Sequence, residues 1–283
     1  MKKIKLNEKT FIPVQGFGVY QIKDELQCEQ SVIKALEAGY RAIDTAASYQ
    51  NEEYVGNAVA SSGIPRKDLF ITTKLWVEDA SEQGALRAVE RSLELLKTDY
   101  IDLYLIHQPA GDVYGAWRSM EKLHEQGVLK SIGVSNFYPS YLMDFTLHQR
   151  IKPQAIQMEF NPFCQQKEAL GGLKELGIKA IAWAPFAEGR NGLFENAVLK
   201  LVAAKHHCSV AQVVLAWVNA MGVAAVSKST HEERIRENFA ASELELDEDD
   251  LQAIATLDQG NSQFFSHQDP KIMRWFAERH IEH

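Results

Sequence analysis

The sequence predicts an α/β protein folded as a closed (β/α)8 TIM barrel, with an N-terminal β-hairpin and a C-terminal tail. Short β-branched runs alternate along the whole chain with stretches of helical period, which is typical of repeated βα units. Eight such runs can be counted, each followed by a helical stretch, and eight βα units in roughly 250 residues are the usual size of this barrel. No linker rich in Pro, Gly or Ser divides the chain, so we expect residues 1–283 to form a single domain.

The apolar runs and the glycines between them give the individual elements. A hairpin is expected from residues 4–10 and 11–12, and residues 259–283 remain as a tail. Leu86, Val89, Leu93 and Leu96 share one helical face. Glycines stand where four of the helices should end: Gly39, Gly63, Gly127 and Gly177. The predicted barrel strands are 14–19, 41–44, 69–73, 101–107, 131–135, 155–159, 179–184 and 223–226.

A doubly wound open sheet is the alternative fold. Gly16-Phe17-Gly18 follows a strand and precedes a helix, and Asp44 ends the next strand, as in a dinucleotide-binding fingerprint. Gln21 stands where that fingerprint has its third glycine, which disfavours this alternative.

Composition limits the classes of partner. The 283 residues are 46 % hydrophobic and 24 % charged, which excludes a disordered chain. The formal net charge of −8 disfavours nucleic acid and anionic membrane, so an anionic ligand needs a local basic pocket. Cys28, Cys164 and Cys208 are far apart and lack metal-ligand spacing. With no signal peptide and no long apolar run, we expect a cytoplasmic protein. We also expect that it is a monomer and that it binds no metal.

Four polar residues fall near the carboxyl ends of successive predicted strands: Asp44, Tyr49, Lys74 and His107. Each alone has a structural explanation, as a helix cap, a packed ring, an exposed cation or a core histidine. At one rim of a barrel they make a proton donor, because an ammonium near a phenol stabilises the phenolate and lowers the pKa of the phenol. A carboxylate holds the lysine in place, and the histidine can orient a carbonyl oxygen.

Five segments, in this order along the chain, resemble motifs of the aldo-keto reductase family. The resemblance covers residues 16 to 258 and looks closest to bacterial reductases of the 2,5-diketo-D-gluconate type. The segments are 39–52 (GYRAIDTAASYQNE), 70–76 (FITTKLW), 100–107 (YIDLYLIH), 132–137 (IGVSNF) and 228–238, which holds KST and Arg234, Glu237 and Asn238.

This resemblance implies a cytoplasmic, NADPH-dependent alcohol dehydrogenase or 2,5-didehydrogluconate reductase that reduces aldehydes and ketones, including keto-sugars and α-dicarbonyls. It implies that Tyr49 is the general acid, Lys74 lowers its pKa, Asp44 anchors Lys74, and His107 orients the carbonyl. Tyr20 and Trp76, with His107, would line the substrate pocket. The residues implied to bind NADPH/NADP+ are Ser135, Asn136, Gln157, Trp183, Lys228, Ser229, Thr230, Arg234, Glu237 and Asn238. Trp183 stands where many relatives have tyrosine.

Three further expectations concern the helix start near Thr230, the loop at Glu188 and the C-terminal tail. Thr230 and Glu233 have capping-box spacing, which predicts a helix start that attracts the 2′-phosphate with Lys228 and Arg234. The loop at Glu188 is left outside the site because a carboxylate is an unusual neighbour for pyrophosphate. Aromatic residues of the tail are expected to pack across the active-site rim, the alternative being the outer helices: Phe264, Phe265, Trp275 and Phe276.

Two other functions are weighed against the reductase. One is an NADPH-binding sensor or regulatory subunit with little turnover, which the complete set of four polar residues disfavours. The other is a barrel aldolase with Lys74 as the Schiff-base amine, which Asp44 disfavours because it would keep the amine protonated.

Overall fold

The computed structural model describes residues 2–281, in which eight parallel strands close into one barrel. The barrel strands are β3 Gln15–Gly18, β4 Ala42–Asp44, β5 Phe70–Leu75, β6 Leu103–Ile106, β7 Ile132–Ser135, β8 Ala155–Glu159, β9 Lys179–Trp183 and β10 Ala224–Ser227. They lie side by side in chain order, and β10 pairs with both β9 and β3. The predicted (β/α)8 barrel is therefore confirmed.

The pairing of the last strand with the first excludes the open sheet. Val226 is in register with Gly16, so the glycine pair lies within β3 rather than in a loop after it. A Cβ atom at Gly18 would lie 2.8 Å from Val226 Cγ1. Gly16 and Gly18 allow β3 and β10 to approach closely where the barrel closes. Their role is strand packing, so no third glycine is needed for a nucleotide-binding loop.

Each predicted strand overlaps one observed strand, and the borders differ by at most two residues. One difference matters for the site. Lys74 was expected after its strand but lies inside β5, in register with Leu105. Because side chains alternate along a strand, this position directs Lys74 to one fixed side of β5 instead of leaving it on a loop.

Helices follow the strands on the outside of the barrel. Asp24 caps the first by accepting a hydrogen bond from the Gln27 backbone, and Gly39 ends it with φ +113°. Gly177 ends α6 in the same way, with φ 75°. The helices are α1 Glu25–Ala38, α2 Glu52–Ser61, α3 Glu82–Leu95, α4 Val113–Glu125, α5 Pro139–Leu147, α6 Lys167–Leu176, α7 Ala197–Lys205, α8 Val210–Ala220, α9 Glu232–Ala240, α10 Glu248–Ala255 and α11 Pro270–Glu278. Two helices, α7 and α8, fill the longer gap before β10.

The predicted hairpin is also present and covers the amino-terminal end of the barrel. Strands β1 Lys3–Lys5 and β2 Phe11–Pro13 pair antiparallel. Buried Leu6 and Ile12 pack there against the starts of the barrel strands. The carboxyl ends of the strands, where function resides in this architecture, are left to the loops and the tail.

No single helix among residues 2–281 is long and apolar enough to cross a membrane. The consecutive helices α7 and α8 reach the length and apolar composition of a membrane span only when they are taken together, and the pair is bent by 89°. The apolar side chains of α8 lie in the core of the protein.

Candidate active site

A cavity of about 890 Å³ opens at the carboxyl ends of the strands. Every residue that the sequence placed in the site lines this cavity except Lys74, which is fully buried behind the cavity wall. The predicted cofactor residues and the predicted substrate residues therefore border one continuous space. Lys74 can act on its contents only through the residues that it touches.

Asp44, Tyr49, Lys74 and His107 converge at the base of the cavity. Lys74 Nζ lies 2.6 Å from Asp44 Oδ1 and 3.4 Å from Tyr49 Oη. The His107 ring meets the Tyr49 ring edge to face, with centroids 5.7 Å apart. The structure thus brings together all four residues that the sequence grouped. Asp44 and Lys74 come from β4 and β5, His107 directly follows β6, and Tyr49 lies in a short 3-10 helix after β4.

Hydrogen bonds fix the buried lysine on several sides. Lys74 Nζ also donates to the carbonyl oxygen of Thr45 at 2.8 Å. Gln157 Nε2 donates to the second carboxylate oxygen of Asp44 at 2.7 Å, which ties the pair across the barrel to β8. Burial lowers the pKa of Lys74, while the charges of Asp44 and Glu52 oppose that effect.

The pKa of Tyr49 moves in the direction opposite to the expected one. Burial raises it well above its ordinary value, the charges of Asp44 and Tyr20 act in the same direction, and Arg279 opposes them. The expectation of a lowered pKa considered only the lysine and omitted desolvation, which is the larger effect in this cavity. Tyr49 is therefore a protonated phenol at neutral pH.

His107 is neutral for a similar reason. Burial lowers its pKa well below the ordinary value, and the positive charges of Lys74 and Arg279 add to the effect. Its Nδ1 lies 3.3 Å from Ser48 Oγ. With Ser48 as the partner of Nδ1, the other ring nitrogen is left for a molecule in the cavity.

The middle of the cavity carries amide and hydroxyl groups suited to a planar polar ring. Ser135 Oγ is buried with no hydrogen-bond partner among the described residues, so it is available to a ligand. Trp183 Nε1 donates to Asn136 Oδ1 at 2.8 Å, which fixes both side chains. Asn136 adopts φ 64° and also donates to the carbonyl oxygen of His107. This arrangement fits the carboxamide and ring of a nicotinamide.

The far end of the cavity is basic, as a nucleotide phosphate requires. Lys228 and Arg234 are exposed side chains on its wall. The predicted capping box is wrong: α9 begins at Glu232 after His231, and no side chain caps it. Ser229 Oγ instead accepts a hydrogen bond from the His231 backbone in a local turn. Glu237 and buried Asn238 lie on the same wall.

Several lining residues were missed by the sequence reasoning. The start of α8, at Ser209, Val210 and Ala211, lines the cavity. Glu188, which was left out of the site, lies on the wall, with its carboxylate 3.5 Å from Gln21 Nε2. A rule that looks only at strand ends does not find these positions, because they lie on a loop and at the start of a helix that follows another helix.

The C-terminal tail forms one side of the cavity. Phe264, Phe265, Trp275 and Phe276 all line it, as predicted, so packing of the tail on the outer helices is wrong. Phe276 packs edge to face on Trp76, at a centroid distance of 5.9 Å. At the opposite wall Tyr20 contacts the Tyr49 ring at 4.9 Å.

Comparison with known proteins identifies the family of this barrel. The Aldo/keto reductase family matches residues 16–259. The chain belongs to this family. It is 43 % identical over 257 residues to a glyoxal reductase of Bacillus subtilis, covering 90 % of this chain and 92 % of that one. It is 40 % identical over 260 residues to a methylglyoxal reductase of Yersinia pestis, covering 91 % and 93 %.

Solved structures of aldo-keto reductases share the fold. An aldo/keto reductase from Brucella melitensis superposes with a TM-score of 0.86 at 42 % identity, over 91 % of this chain and 99 % of the other. The aldo-keto reductase of Bombyx mori, solved in complex with NADP, superposes with a TM-score of 0.88 at 32 % identity, over 93 % and 95 %. The chain is therefore an aldo-keto reductase family protein throughout its barrel.

Proposed function

We propose that this aldo-keto reductase catalyses the NADPH-dependent reduction of small aldehydes and ketones to alcohols, with Tyr49 as the general acid. The observation that carries the proposal is the hydroxyl of half-buried Tyr49 at the cavity wall, 3.4 Å from the Lys74 ammonium and beside the His107 ring. This is a proton donor with a cation behind it and a carbonyl-orienting group beside it.

Tyr49 supplies the proton of the product alcohol. Its raised pKa keeps the phenol protonated until charge develops on the carbonyl oxygen. As the O–H bond of the alcohol forms, the phenol O–H bond breaks and a phenolate remains on Tyr49. The Lys74 ammonium stabilises that phenolate, and Asp44 holds Lys74 in place.

His107 orients the substrate. As a neutral ring whose Nδ1 accepts a hydrogen bond from the Ser48 hydroxyl, His107 carries its one N–H on Nε2 and donates it to the carbonyl oxygen that Tyr49 protonates. Tyr20 and Trp76 provide the aromatic walls around the carbonyl carbon.

The residues along the cavity suit NADPH. Bound NADPH supplies the hydride that becomes the new C–H bond. Ser135, Asn136 and Gln157, which line the cavity, would hold its carboxamide, and Trp183 would pack against its ring. Lys228 and Arg234 would bind its 2′-phosphate, because a guanidinium and an ammonium complement phosphate better than a ribose hydroxyl. The other lining residues that would contact the nucleotide are Ser229, Thr230, Glu237 and Asn238.

Small dicarbonyl compounds are the substrate class that we favour. The similar proteins of Bacillus subtilis and Yersinia pestis are named glyoxal and methylglyoxal reductases. A 2,5-diketogluconate-type keto-sugar is the second candidate, and it rests on the sequence resemblance alone. We also propose that the chain acts as a cytoplasmic monomer of one domain, with the thiols of Cys28 and Cys164 buried and their pKa values raised to about 12.

The other candidate functions are less consistent with the site. An aldolase would need its amine at the substrate, but Lys74 is fully buried and does not line the cavity. A sensor with little turnover would need the residues that bind the nucleotide, but it would not need the buried Asp44–Lys74 pair, which this chain has.

Substitution of Tyr49 by Phe tests the proposal. Tyr49→Phe should retain NADPH binding, measured by fluorescence titration, and should lose about 10²–10⁴-fold in kcat for methylglyoxal. The control is Tyr114→Phe, which removes a surface phenol bonded to Asp144 and should leave kcat unchanged. More than about a tenth of the wild-type kcat in Tyr49→Phe, with chemistry rate-limiting, would exclude Tyr49 as the acid. A wild-type protein that binds NADPH without reducing any carbonyl would support the sensor instead.

A further inference from the structure

Arg279 places a positive charge at the substrate end of the cavity. It follows α11 directly, lines the cavity and is half-buried. Its guanidinium lies between two indole rings, 5.2 Å from the centre of Trp76 and 5.3 Å from that of Trp275. The rings restrict the side chain and shield it in part from water, which strengthens any ionic contact that it makes.

The backbone around Arg279 is held in place, so the charge has a defined position. The carbonyl oxygen of Arg279 accepts a hydrogen bond from Trp76 Nε1 at 2.8 Å. Glu78 accepts one from the Ile281 backbone at 3.1 Å and another contact from His280 at 2.9 Å. These contacts involve the backbone of residue 279 and its neighbours, so they persist when its side chain is replaced.

The guanidinium has no carboxylate partner within residues 2–281. Its hydrogen bond runs from Nη2 to the carbonyl oxygen of Ser48, at 3.3 Å. The half-buried Arg66 and Arg91, in contrast, pair with Asp102 and Asp79 at 2.7 and 2.6 Å. Since a guanidinium has five donors, Arg279 keeps donors free for an anion in the cavity.

This charge lies close to the proposed reacting centre. Ser48, whose carbonyl oxygen Arg279 contacts, is the neighbour of Tyr49 and bonds His107 through its side chain. The charge of Arg279 acts on both of those groups, since it contributes to lowering the pKa of His107 and opposes the raised pKa of Tyr49. A molecule whose carbonyl contacts Tyr49 and His107 therefore extends toward Arg279 within a few bonds.

A second polar group faces the same space. The ring of His267 lines the cavity and stacks on Phe276, and its Nε2 atom is buried without a hydrogen-bond partner among the described residues. Burial lowers its pKa to about 4, so the ring is neutral at pH 7. In the tautomer with its proton on Nε2 this ring donates a hydrogen bond, and a donor that lines the same cavity as a cation suits an oxygen-rich anionic group.

We infer that Arg279 determines specificity by binding the carboxylate of oxo-acid substrates, with His267 as a second hydrogen-bonding group. This inference rests on the proposed reductase function and adds to its small dicarbonyl substrates a second class, carbonyl compounds that carry a carboxylate a few bonds from the reacting carbon. The net charge of −8 repels anions from the protein as a whole, so the selection depends on this local charge.

Matched acids and esters test the inference. The substrates are glyoxylate, 4-oxobutanoate and 5-oxopentanoate, each with its methyl ester, and methylglyoxal as a neutral reference. In the wild-type enzyme at least one acid should exceed its ester in kcat/KM. Arg279→Met should lower the ratio of kcat/KM for that acid to kcat/KM for its ester about 10–100-fold. A change that the acids, the esters and methylglyoxal share would report the effect of the Arg279 charge on Tyr49 and His107.

Two further variants complete the test. Arg274→Met removes an exposed arginine from α11 and should leave all seven compounds unchanged. Arg279→Lys retains the charge without the guanidinium fork and should lose part of the acid preference while reducing the esters normally. If Arg279→Met is inactive with every compound, the test uses Arg279→Lys instead. A ratio of kcat/KM for the acid to kcat/KM for its ester that is lower than in the wild type supports the inference, and an unchanged ratio overturns it.

The results that overturn the inference are distinct from those that overturn the proposed function. Reduction of methylglyoxal and the esters with no acid preferred, or an equal loss for acid and ester in the Arg279 variants, would remove the role of Arg279 alone. Failure of the wild-type enzyme to reduce any carbonyl compound with NADPH would remove the proposed function itself.

Discussion

Replacement of Asp44 by Asn isolates the buried ion pair beneath the proposed active site. Asp44 Oδ1 and Lys74 Nζ lie 2.6 Å apart, with side chains 8 % and 0 % exposed. Asparagine keeps the shape of the side chain, but its single amide oxygen can accept from either Lys74 or Gln157, so its NH2 group faces the other donor. The substitution therefore removes one charge and leaves the ammonium buried, which costs about 3–5 kcal/mol in the free energy of unfolding.

The loss of stability in Asp44→Asn should depend on pH, and the direction of this dependence follows from the lowered pKa of Lys74. Burial already lowers the pKa of this lysine, and without Asp44 only the Glu52 carboxylate remains to oppose the effect. The folded variant then releases the proton at a pH where the unfolded chain keeps it, up to about pH 10.4. Because the unfolded state binds more protons in this window, stability rises with pH, by at most about 1.4 kcal/mol per unit. The variant should approach the wild type in stability as pH increases toward 10.

Urea unfolding of both proteins at several pH values between 6 and 10 measures this difference. The control is Glu82→Gln, which breaks an exposed pair with Lys122 and should produce no pH-dependent difference. A loss that is the same at every pH, or a total loss below about 1 kcal/mol at neutral pH, would refute the reasoning. Methylglyoxal reduction by Asp44→Asn should also fall, because a neutral Lys74 no longer stabilises the phenolate.

Three other predictions concern the cofactor, the tail and the packing of the barrel. Arg234→Ala should raise KM for NADPH about 10–150-fold and leave KM for NADH almost unchanged, and equal kcat/KM for the two cofactors in the wild type would contradict the assignment. Removal of the chain from Asn261 onward should change KM and the order of substrate preference, whereas an unchanged order would reject a tail-formed pocket. Gly56→Ala should cost about 1–3 kcal/mol in urea unfolding, because the added Cβ would lie 2.3 Å from the carbonyl oxygen of Leu95. Gly171→Ala, with no atom within 4 Å of the added Cβ, is the control and should not destabilise.

Regular features of the chain made the barrel predictable. Buried parallel strands appear as short β-branched runs, and the carboxyl ends of such strands meet at one rim whatever the sequence between them. Asp44 and His107 could therefore be grouped from their positions alone, and Gly39 could be recognised as a helix end from its place after an apolar stripe. Each of these signals is local.

The remaining features depend on parts of the chain that meet only in the folded protein. The direction of the Tyr49 pKa depends on how deeply the surrounding chain buries it, and no local pattern reports burial. The start of α9 was misplaced because Ser229 forms a competing turn with His231. Arg279 could not be assigned to the cavity, since its position results from contacts with Trp76 and Ser48, more than two hundred residues earlier.

The location of α11 and Arg279 at the cavity has a practical consequence for handling the protein. Arg279 lines the cavity and Ile281 lies two residues further on, so a purification tag or fusion partner joined to the chain shortly after Ile281 would begin within a few residues of the pocket wall. Kinetic constants measured on such a preparation would include the effect of the attachment. The hairpin at the opposite end of the barrel offers a neutral place for it, because β1 and β2 are remote from the cavity. Substrate profiles are therefore best recorded on protein tagged at the amino terminus, with an untagged sample as the reference.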